Sequence, residues 1–300
     1  MPQSFPRESA PPAPAPLAVL MISRNEAHNM AAVLDNLEGF AQEIFLVDSY
    51  STDDTVKTAL GRGVHVVQRP FRGFGDQWNF AVSKLPVTAP WTMKLDPDER
   101  LTEPLKAAIR DALARPDDAD AFVLVRKLWF MGKPLPVQQG LLRIWKTGTC
   151  RFSDVLVNEH AIVAGRQRTL SGILEHRDSP NLDHWLAKQN AYTTAEALSA
   201  WQGARLAAQG RLFGSALERR QWLKTKFIDS PFIGTAIFLY YVFVLGIWRA
   251  GRVGMIWALL RRDVHRLIIY KRREMELLGH GYEVPRPVPG PPHPGVPQFD

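Results

Sequence analysis

Trp91-Thr-Met-Lys-Leu95 leads directly into Asp96-Pro-Asp-Glu99, so an apolar stretch that favours a strand ends in a turn with two carboxylates one residue apart. Carboxylates in this arrangement can converge on a hard divalent cation, which prefers oxygen ligands and also accepts phosphate oxygens. Such an ion would neutralise the charge that develops on a diphosphate leaving group. The alternative is a solvated acidic turn that caps a helix from about Thr102, because short acidic triplets are common.

The segments before this turn repeat the same design of an apolar strand with a polar end. Apolar runs rich in β-branched residues alternate with stretches of helical period from Leu17 to about Lys127, which is typical of βαβ units and a parallel sheet. The expected strands are Leu17–Ser23, Glu43–Asp48, Val64–Gln68 and Trp91–Leu95, with helices from Ala27 to Leu37 and from Asp53 or Asp54. Because ligands bind at the carboxyl ends of parallel strands, the polar strand ends are expected to share one crevice.

Later segments predict a mixed sheet followed by helices. Short strand-like pieces are expected at Ala121–Arg126, Leu141–Trp145 and Ala161–Val163, and a long helix from about Asn181 to Ala208. Residues 285–297 hold seven prolines, and this composition favours an extended or disordered tail.

Charge and cysteine content narrow the functional classes. Residues 201–280 carry nine more Lys and Arg than Asp and Glu, so the rest of the chain is slightly acidic although the total is +7. Without a nucleic-acid motif, this distribution favours an anionic membrane surface over DNA or RNA as the partner. The single cysteine, Cys150, excludes an internal disulfide and fits a reducing compartment. No Gly-x-Gly-x-x-Gly follows the first strand, which disfavours a dinucleotide oxidoreductase.

Two polar strand ends suggest nucleoside recognition. Asp48, at the end of the second strand, offers a carboxylate for hydrogen bonds to a base or ribose, and the Ser and Thr residues after it can form a turn and cap a helix. Asn25 and Glu26 supply a further amide and carboxylate at the same edge, although Asn25 is equally suited to cap the first helix.

The ordered set of segments resembles the inverting family 2 glycosyltransferases, and more narrowly the bacterial lipopolysaccharide-core β-glucosyltransferases. The matching pieces are Ile22–Glu26, Val47–Thr55, Gly73–Phe80, Leu95–Glu99 and Val157–His160. The resemblance implies a GT-A-type fold, an α/β nucleotide-sugar fold with a mainly parallel sheet that is mixed at its end. It further implies a catalytic domain over residues 17–180. Residues 1–16 are rich in Pro and Ala and lack the pattern of a secretory signal, which favours a disordered leader.

The resemblance also implies roles for individual residues. Glu159 would be the catalytic base, and Asp98 would bind Mg²⁺ or Mn²⁺, with Asp96 and His176 as further candidate metal ligands. The donor-binding set is Ser23, Asn25, Glu26, Asp48 and Asp96, and the candidate donor or acceptor contacts are Asn79 and Arg143.

Several of these assignments have alternatives. Asp154 and His160 compete with Glu159 for the role of base, and His176 fits a structural, hydrogen-bonded position equally well. Arg143 could simply face solvent on an alternating strand. Trp78 stands where many relatives carry Arg or Lys, so one cationic contact to the donor is missing.

Residues 181–280 are expected to form a helical, basic, membrane-associating segment, with a disordered tail at residues 281–300. The uncharged run Phe232–Trp248 is slightly short for a spanning helix and has Tyr240 and Tyr241 at its middle, which favours an interfacial or re-entrant helix over a single span. The arginine-rich stretch after it suits anionic lipid at the cytoplasmic face of the bacterial inner membrane. The alternative is that these helices pack on the catalytic domain or form an oligomer interface.

The sequence therefore predicts a metal-dependent, inverting transferase that moves a sugar from a nucleoside-diphosphate sugar, such as a UDP-sugar, to a glycolipid or lipopolysaccharide-core acceptor. A transferase acting on a polyprenyl phosphate is the enzymatic alternative. A non-catalytic protein of the membrane surface is the alternative from another class, and nucleic acid is not an expected partner.

Overall fold

The computed structural model describes residues 13–115, 119–153, 159–202, 233–282 and 289–300. The chain divides into two compact units. The first comprises Met1–Val125, Gly140–Leu174 and Pro289–Asp300, and the second comprises Arg126–Gln139 and Glu175–Val288.

The first unit opens with alternating strands and helices. The strands are β1 (Ala15–Ser23), β2 (Ala41–Asp48), β3 (His65–Gln68) and β4 (Trp91–Lys94), and the helices are α1 (Ala27–Leu37), α2 (Thr55–Leu60) and α3 (Phe74–Lys84). β1 pairs in parallel with β2 and β4, and β2 pairs in parallel with β3. The four expected strands are confirmed to within two residues, whereas α3 was not predicted.

The remaining strands complete a mixed sheet. They are β5 (Glu99–Leu101), β6 (Ala121–Phe130), β7 (Lys133–Lys146), β8 (Cys150–Phe152), β9 (Ala161–Val163), β10 (Gln167–Thr169) and β11 (Leu174–Arg177), with α4 (Glu103–Leu113) after β5. The main sheet has the order β3-β2-β1-β4-β7-β6-β11-β5, with β10 beside β6. β7 runs antiparallel to β4, which confirms the α/β fold class with a sheet mixed at its end. β8 and β9 form a separate antiparallel pair.

Both faces of the parallel region are covered. Leu17, Val19 and Met21 of β1 pack in one buried cluster with residues of α1, while Ala18 and Leu20 pack in another with Trp78. Successive side chains of a strand point to opposite faces, so β1 is apolar on both sides, as expected of a strand at the centre of a buried parallel sheet. Polar groups can therefore reach solvent only at the strand ends.

The described part of the second unit is mainly helical. Its helices are α5 (Leu182–Trp201), α6 (Ile233–Leu239) and α7 (Gly251–Leu278), with a π-helical turn at Tyr240–Val244 and a 3₁₀ turn at Ile247–Ala250 before α7. Trp185, Ile247 and Trp257 lie in its apolar core.

Lys271 joins α7 to α5 through hydrogen bonds. Its Nζ donates to the Asn190 carbonyl at 2.9 Å and to the hydroxyls of Thr193 and Thr194 at 2.9 and 2.6 Å. Burial lowers the pKa of this lysine, and the nearby Glu274 carboxylate only partly offsets that effect. Lys271 therefore links two helices.

The length and hydropathy of the helices bear on membrane insertion. Among the described helices, none is by itself long and apolar enough to cross a bilayer. The pair Ile233–Val244 and Ile247–Leu278 meets the criterion jointly, with a bend of 72° between the two parts.

Candidate active site

Asp48 organises the first polar strand end. Its carboxylate accepts hydrogen bonds from Ser23 Oγ at 3.1 Å, from Gln68 Nε2 at 2.8 Å and from the Ser51 backbone N–H at 2.9 Å, and the Ser51 hydroxyl is a fourth donor. The side chain is fully buried. The register explains this arrangement, because Ser23 pairs with Asp48 and Asp48 with Gln68 across three adjacent parallel strands. Asp48 therefore fixes the loop after β2, and a direct contact of Asp48 or Ser23 with the donor remains a prediction.

The loop after β1 is held against the loop after β2. Asn25 donates its backbone N–H to Ser51 Oγ at 2.8 Å, and its side-chain oxygen accepts from the Thr52 N–H at 2.8 Å. Glu26 donates its N–H to Thr55 Oγ1 at 2.8 Å, and its carboxylate accepts from Asn29 at 2.9 Å. Asn25 is not the cap of α1, because that helix begins after Glu26.

Two residues of these loops have left-handed backbone conformations. Asn25 has φ of 55° and Tyr50 has φ of 56°. Such conformations are uncommon for residues other than glycine, cost about 1–3 kcal/mol each and cluster at functional sites. The hydrogen bonds between the two loops stabilise this local strain at the edge where a ligand would bind.

Arg143 lies behind the acidic turn. Its Nη2 is 2.9 Å from Asp96 Oδ2 and 2.5 Å from Glu99 Oε1, and its side chain is 4% exposed. The antiparallel register, in which Met93 faces Ile144, brings this part of β7 beside the end of β4. The solvent-facing interpretation of Arg143 is therefore wrong. Arg143 contacts the acidic turn itself, and its assignment as a donor or acceptor contact remains a prediction.

Neighbouring positive charges keep Asp96 ionised. Burial disfavours the charged form of Asp96, but the positive charges of Lys94 and Arg143 outweigh burial and lower the pKa of Asp96. Burial also opposes the charge on Arg143, and the neighbouring Glu99 and Asp96 carboxylates raise the pKa of Arg143 instead. Asp96 is therefore a carboxylate, rather than a carboxylic acid, at neutral pH.

Asp98 is 7% exposed, so it is not part of a solvated turn. The alternative in which the acidic turn caps the next helix is also wrong, because Thr102 precedes α4 and its hydroxyl donates to the Ile173 carbonyl at 2.8 Å. Asp96, with 29% of its side chain exposed, and Asp98 offer carboxylate oxygens at one strand end. This donor set fits a hard cation such as Mg²⁺ or Mn²⁺.

Lys94 and Glu159 form a largely buried ion pair, of which the sequence pattern indicated only Glu159 as a functional residue. Lys94 Nζ contacts Glu159 Oε1, and the two side chains are only 9% and 11% exposed. The ammonium lies 4.4 Å from the centroid of the Trp78 ring and 5.5 Å from that of Phe152, within the range of cation–π attraction. The detectable signal was a lysine inside an otherwise apolar strand, directly before the acidic turn.

The position of Glu159 depends on the hairpin formed by β8 and β9. Ser153 donates its N–H to the His160 carbonyl at 3.1 Å, and His160 donates its N–H to Ser153 Oγ at 2.9 Å. Glu159 thus precedes a residue that is hydrogen-bonded to Ser153, and its carboxylate forms the ion pair with Lys94. The competing base Asp154 and the motif residues Val157 and Asn158 lie outside the described residues.

Position 78 is occupied by Trp78 rather than by a cationic residue, but the Lys94 ammonium lies beside the Trp78 ring. The resemblance led us to expect an arginine or lysine at this position, yet Trp78 is fully buried and stacks on Phe152. Because Lys94 Nζ lies against the same ring, the acidic turn still has a buried positive charge at its side.

Asn79 and His176 have structural partners. Asn79 donates its amide to the Phe152 carbonyl at 3.0 Å and accepts from the Phe152 N–H at 2.8 Å, so it joins α3 to β8. Its assignment as a donor or acceptor contact remains a prediction. His176, on β11 in the second unit, has its Nε2 3.9 Å from Asp178 Oδ1. Asp178 also accepts from Lys188 Nζ at 2.6 Å. Metal binding by His176 remains a prediction.

Comparison with known proteins gives concordant results. Residues 18–148 match the family model of glycosyl transferase family 2. A lipopolysaccharide core biosynthesis glycosyltransferase of Rhizobium meliloti (strain 1021), LpsC, is 29% identical over 257 residues, which cover 81% of this chain and 87% of that protein. An uncharacterized glycosyltransferase of Rickettsia typhi is 25% identical over 236 residues, covering 72% of this chain and 78% of that protein.

A solved structure shares the fold. A mannosyltransferase of Pyrobaculum calidifontis, in complex with GDP-Man and Mn²⁺, superposes with a TM-score of 0.51 at 15% identity and covers 89% of this chain and 91% of that chain. At this identity the likeness shows the fold alone. Together the matches confirm the resemblance that the motifs indicated and the GT-A-type fold.

Proposed function

We propose that the protein is a family 2 glycosyltransferase that moves a sugar from a nucleoside-diphosphate donor to a glycolipid or lipopolysaccharide-core acceptor, with inversion at the anomeric carbon and with Mg²⁺ or Mn²⁺. The observation that carries the proposal is the cluster of carboxylates at the ends of β2 and β4. Asp48 is fixed by four donors, and Asp96 lies between the charges of Lys94 and Arg143. Ligands of open α/β sheets bind at this edge.

The loops after β1 and β2 suit the nucleoside half of the donor. Their backbone is fixed by hydrogen bonds between Asn25 and the residues Ser51 and Thr52, so little ordering remains to be done when a ligand binds. Asn25 and Glu26 lie at the open end of this arrangement, where both are partly exposed. In the proposal they contact the base or ribose, while Asp48 and Ser23 hold the loop that receives it.

The carboxylates Asp98 and Asp96 would hold the metal ion. A bound divalent ion would supply electrostatic neutralisation of the diphosphate. The charge of Asp96 is already balanced by its ion pair with Arg143. We therefore assign Asp98 as the main carboxylate ligand of the ion.

Glu159 is assigned the role of base. In the proposed step the acceptor hydroxyl oxygen forms a bond to the anomeric carbon as the bond from that carbon to the diphosphate oxygen breaks. Glu159 takes the hydroxyl proton, and the electron pair of the broken bond leaves with the nucleoside diphosphate. Lys94 holds the carboxylate in place before the step. When Glu159 becomes neutral, the charge of Lys94 remains beside the acidic turn and can stabilise the departing diphosphate.

The acceptor class rests on the second unit and on the LpsC match. Three apolar residues in the bent turn before α7 are exposed to solvent: Phe243 is 70% exposed, Val244 69% and Trp248 54%. Arg249 and Arg252 lie next to this turn in the sequence and are also exposed. Apolar side chains flanked by arginines are typical of segments that lie in the interface of an anionic bilayer. We therefore place the protein at the cytoplasmic face of the bacterial inner membrane, attached to its surface or by a re-entrant segment.

A panel of nucleotide sugars tests the proposal. Thermal unfolding is measured with UDP, GDP and their sugars, each with Mn²⁺, with Mg²⁺ or with a chelator, and with NAD and RNA as controls. The proposal expects stabilisation by one nucleotide class that the chelator abolishes. Stabilisation by NAD or RNA alone, or none by any nucleoside diphosphate, would refute it. Product extraction into organic solvent then distinguishes a polyprenyl-phosphate product from a lipopolysaccharide-core product.

A further inference from the structure

The C-terminal segment, Pro289–Asp300, is bound along β3, the edge strand of the sheet. The Gln68 backbone donates to the Pro297 carbonyl at 2.9 Å and accepts from the Phe299 N–H at 2.8 Å, and Gln68 pairs in parallel with Gln298. Val296 is 6% exposed and belongs to the main apolar cluster of the first unit. The proline-rich composition favours an extended or disordered tail here, and the open backbone groups of an edge strand provide partners for an extended segment.

The same segment reaches the loop after β2. Gly290 donates its N–H to the Tyr50 carbonyl at 2.9 Å, and Tyr50 is the residue of this loop with a left-handed backbone. The approach requires glycine, because a Cβ at position 290 would lie 2.9 Å from the Ser51 carbonyl oxygen and 3.0 Å from that of Tyr50. The segment thus contacts both residues that follow Ser49 in this loop.

The Gln68 side chain connects the segment to Asp48. Its Oε1 accepts from the His293 backbone N–H at 2.8 Å and from Gln298 Nε2 at 3.2 Å, while its Nε2 donates to Asp48 Oδ2 at 2.8 Å. With its oxygen held by two donors, the amide has only one orientation in which all these bonds form. The segment therefore determines how Gln68 presents its N–H to the buried carboxylate.

An aromatic contact holds the other end of the segment. Phe299 packs edge-on against Phe80 with 5.1 Å between ring centroids, and the guanidinium of Arg69 lies 4.6 Å from the Phe80 centroid. Arg69 is buried and forms an ion pair with Asp76 at 2.7 Å. The segment is therefore attached at three places, at Gly290, around Gln68 and at Phe299.

We propose that Pro289–Asp300 is a positioning element of the donor-nucleotide site, acting on Asp48 through Gln68 and on the Tyr50–Ser51 backbone through Gly290. This inference rests on the proposed function, since it takes the loop after β2 as the nucleoside side of the donor site. The segment pre-organises that loop, so losing it weakens donor binding while the groups that carry the chemistry, Glu159 and Asp98, keep their places.

The test uses the full chain beside two perturbed forms. One form ends after residue 288, and the other carries Gly290→Val, which blocks the close approach and leaves the remainder of the segment intact. Pro292→Ala, at an exposed position, is the matched control. The donor KM, the acceptor KM, kcat and the Kd of the preferred nucleoside diphosphate with Mn²⁺ are measured, together with the thermal midpoint.

Both perturbed forms should raise the donor KM and the nucleotide Kd by about tenfold, which corresponds to the loss of one or two ordered hydrogen bonds. The acceptor KM and kcat should stay within about twofold of the full chain, because chemistry is not altered. In a Gln68→Leu background, removing the segment should have a much smaller further effect, since the route to Asp48 is already broken.

Equal donor KM values in all forms would overturn the inference. A fall in kcat together with a rise in both the donor KM and the acceptor KM would also overturn it, because that result indicates a merely structural role. A wild-type chain that binds no nucleoside diphosphate would refute the proposed function and the inference with it. A wild-type chain that binds the nucleotide as tightly as both perturbed forms would refute the inference alone.

Discussion

Removing the charge of Lys94 should destabilise the first unit because it leaves the Glu159 carboxylate buried without its partner. Lys94→Met keeps the apolar stem, so little packing is lost. At an effective dielectric constant of about 20, two charges at about 4 Å attract by about 4 kcal/mol, and deleting one partner of a buried pair typically costs about 3–5 kcal/mol. With the side chains only 9% and 11% exposed, water compensates little, and a loss of about 3 kcal/mol is expected.

A double-mutant cycle isolates the pair. Glu159→Gln should also destabilise, whereas combining it with Lys94→Met should cost less than the sum by roughly 2 kcal/mol, because neither charge is then left alone. Urea unfolding followed by tryptophan fluorescence is the assay, since Trp78 lies directly beneath the Lys94 ammonium. The matched control is Lys146→Met, which removes the lysine of a pair with Asp120 in which both side chains are 39% exposed. Its effect should be much smaller.

The reasoning would be refuted by an additive cycle, or by a Lys94→Met variant as stable as the wild type. Either result would mean that the two charges do not interact in solution. Turnover adds a second criterion: Lys94→Met should lower kcat more than it raises the donor KM, because Lys94 acts on the base and the leaving group rather than on the nucleoside.

Three further predictions concern the metal, acid stability and the membrane. Asp98→Asn should abolish the Mn²⁺ dependence of nucleotide binding in calorimetric titrations, and an unchanged dependence would exclude Asp98 as a ligand. Burial opposes the charge on Glu43, but hydrogen bonds from Thr88 and Ala89 outweigh it and lower its pKa below 4.5. Its stabilisation is therefore present above that pH and lost as the pH falls through the lowered pKa, so Glu43→Gln should flatten the pH dependence of unfolding below about 4.5, and an unaltered curve would contradict this. Phe243→Ser with Val244→Ser should weaken liposome sedimentation even at high salt, and sedimentation equal to wild type would exclude insertion of this turn.

The strand ends were accessible from the sequence because they obey local rules. An apolar run followed by Asp, Asn or Ser predicts both a strand and its polar end, and parallel strands place those ends at one edge. Asp48, Asp96 and Asp98 were found in this way, and the structure places all three at strand ends of the first unit. What the local pattern could not provide was their burial, so a solvated turn remained an alternative to metal binding for Asp98.

The partners of these residues depend on contacts that are distant in sequence. Lys94 and Glu159 are 65 residues apart, and Gln68 and His293 are 225 apart. Periodicity predicts which face of its strand Arg143 lies on, but it does not show that the buried Glu99 lies on the same side. The ion pair between Arg143 and Glu99 was therefore not predicted. The composition of the C-terminal segment favoured an extended or disordered chain, and it carried no information about the free edge of β3.

The most direct test of the central claim, that Glu159 activates an acceptor hydroxyl in an inverting transfer, is the anomeric configuration of the product. Proton NMR of the glycosylated acceptor gives this configuration, and the same reaction is run with wild type and Glu159→Gln at saturating donor. The wild type should form a linkage of opposite configuration to the donor, and Glu159→Gln should bind the donor normally yet turn over about 10²-fold or more slowly. A product that retains the donor configuration, or a Glu159→Gln variant with near-normal turnover, would contradict the account.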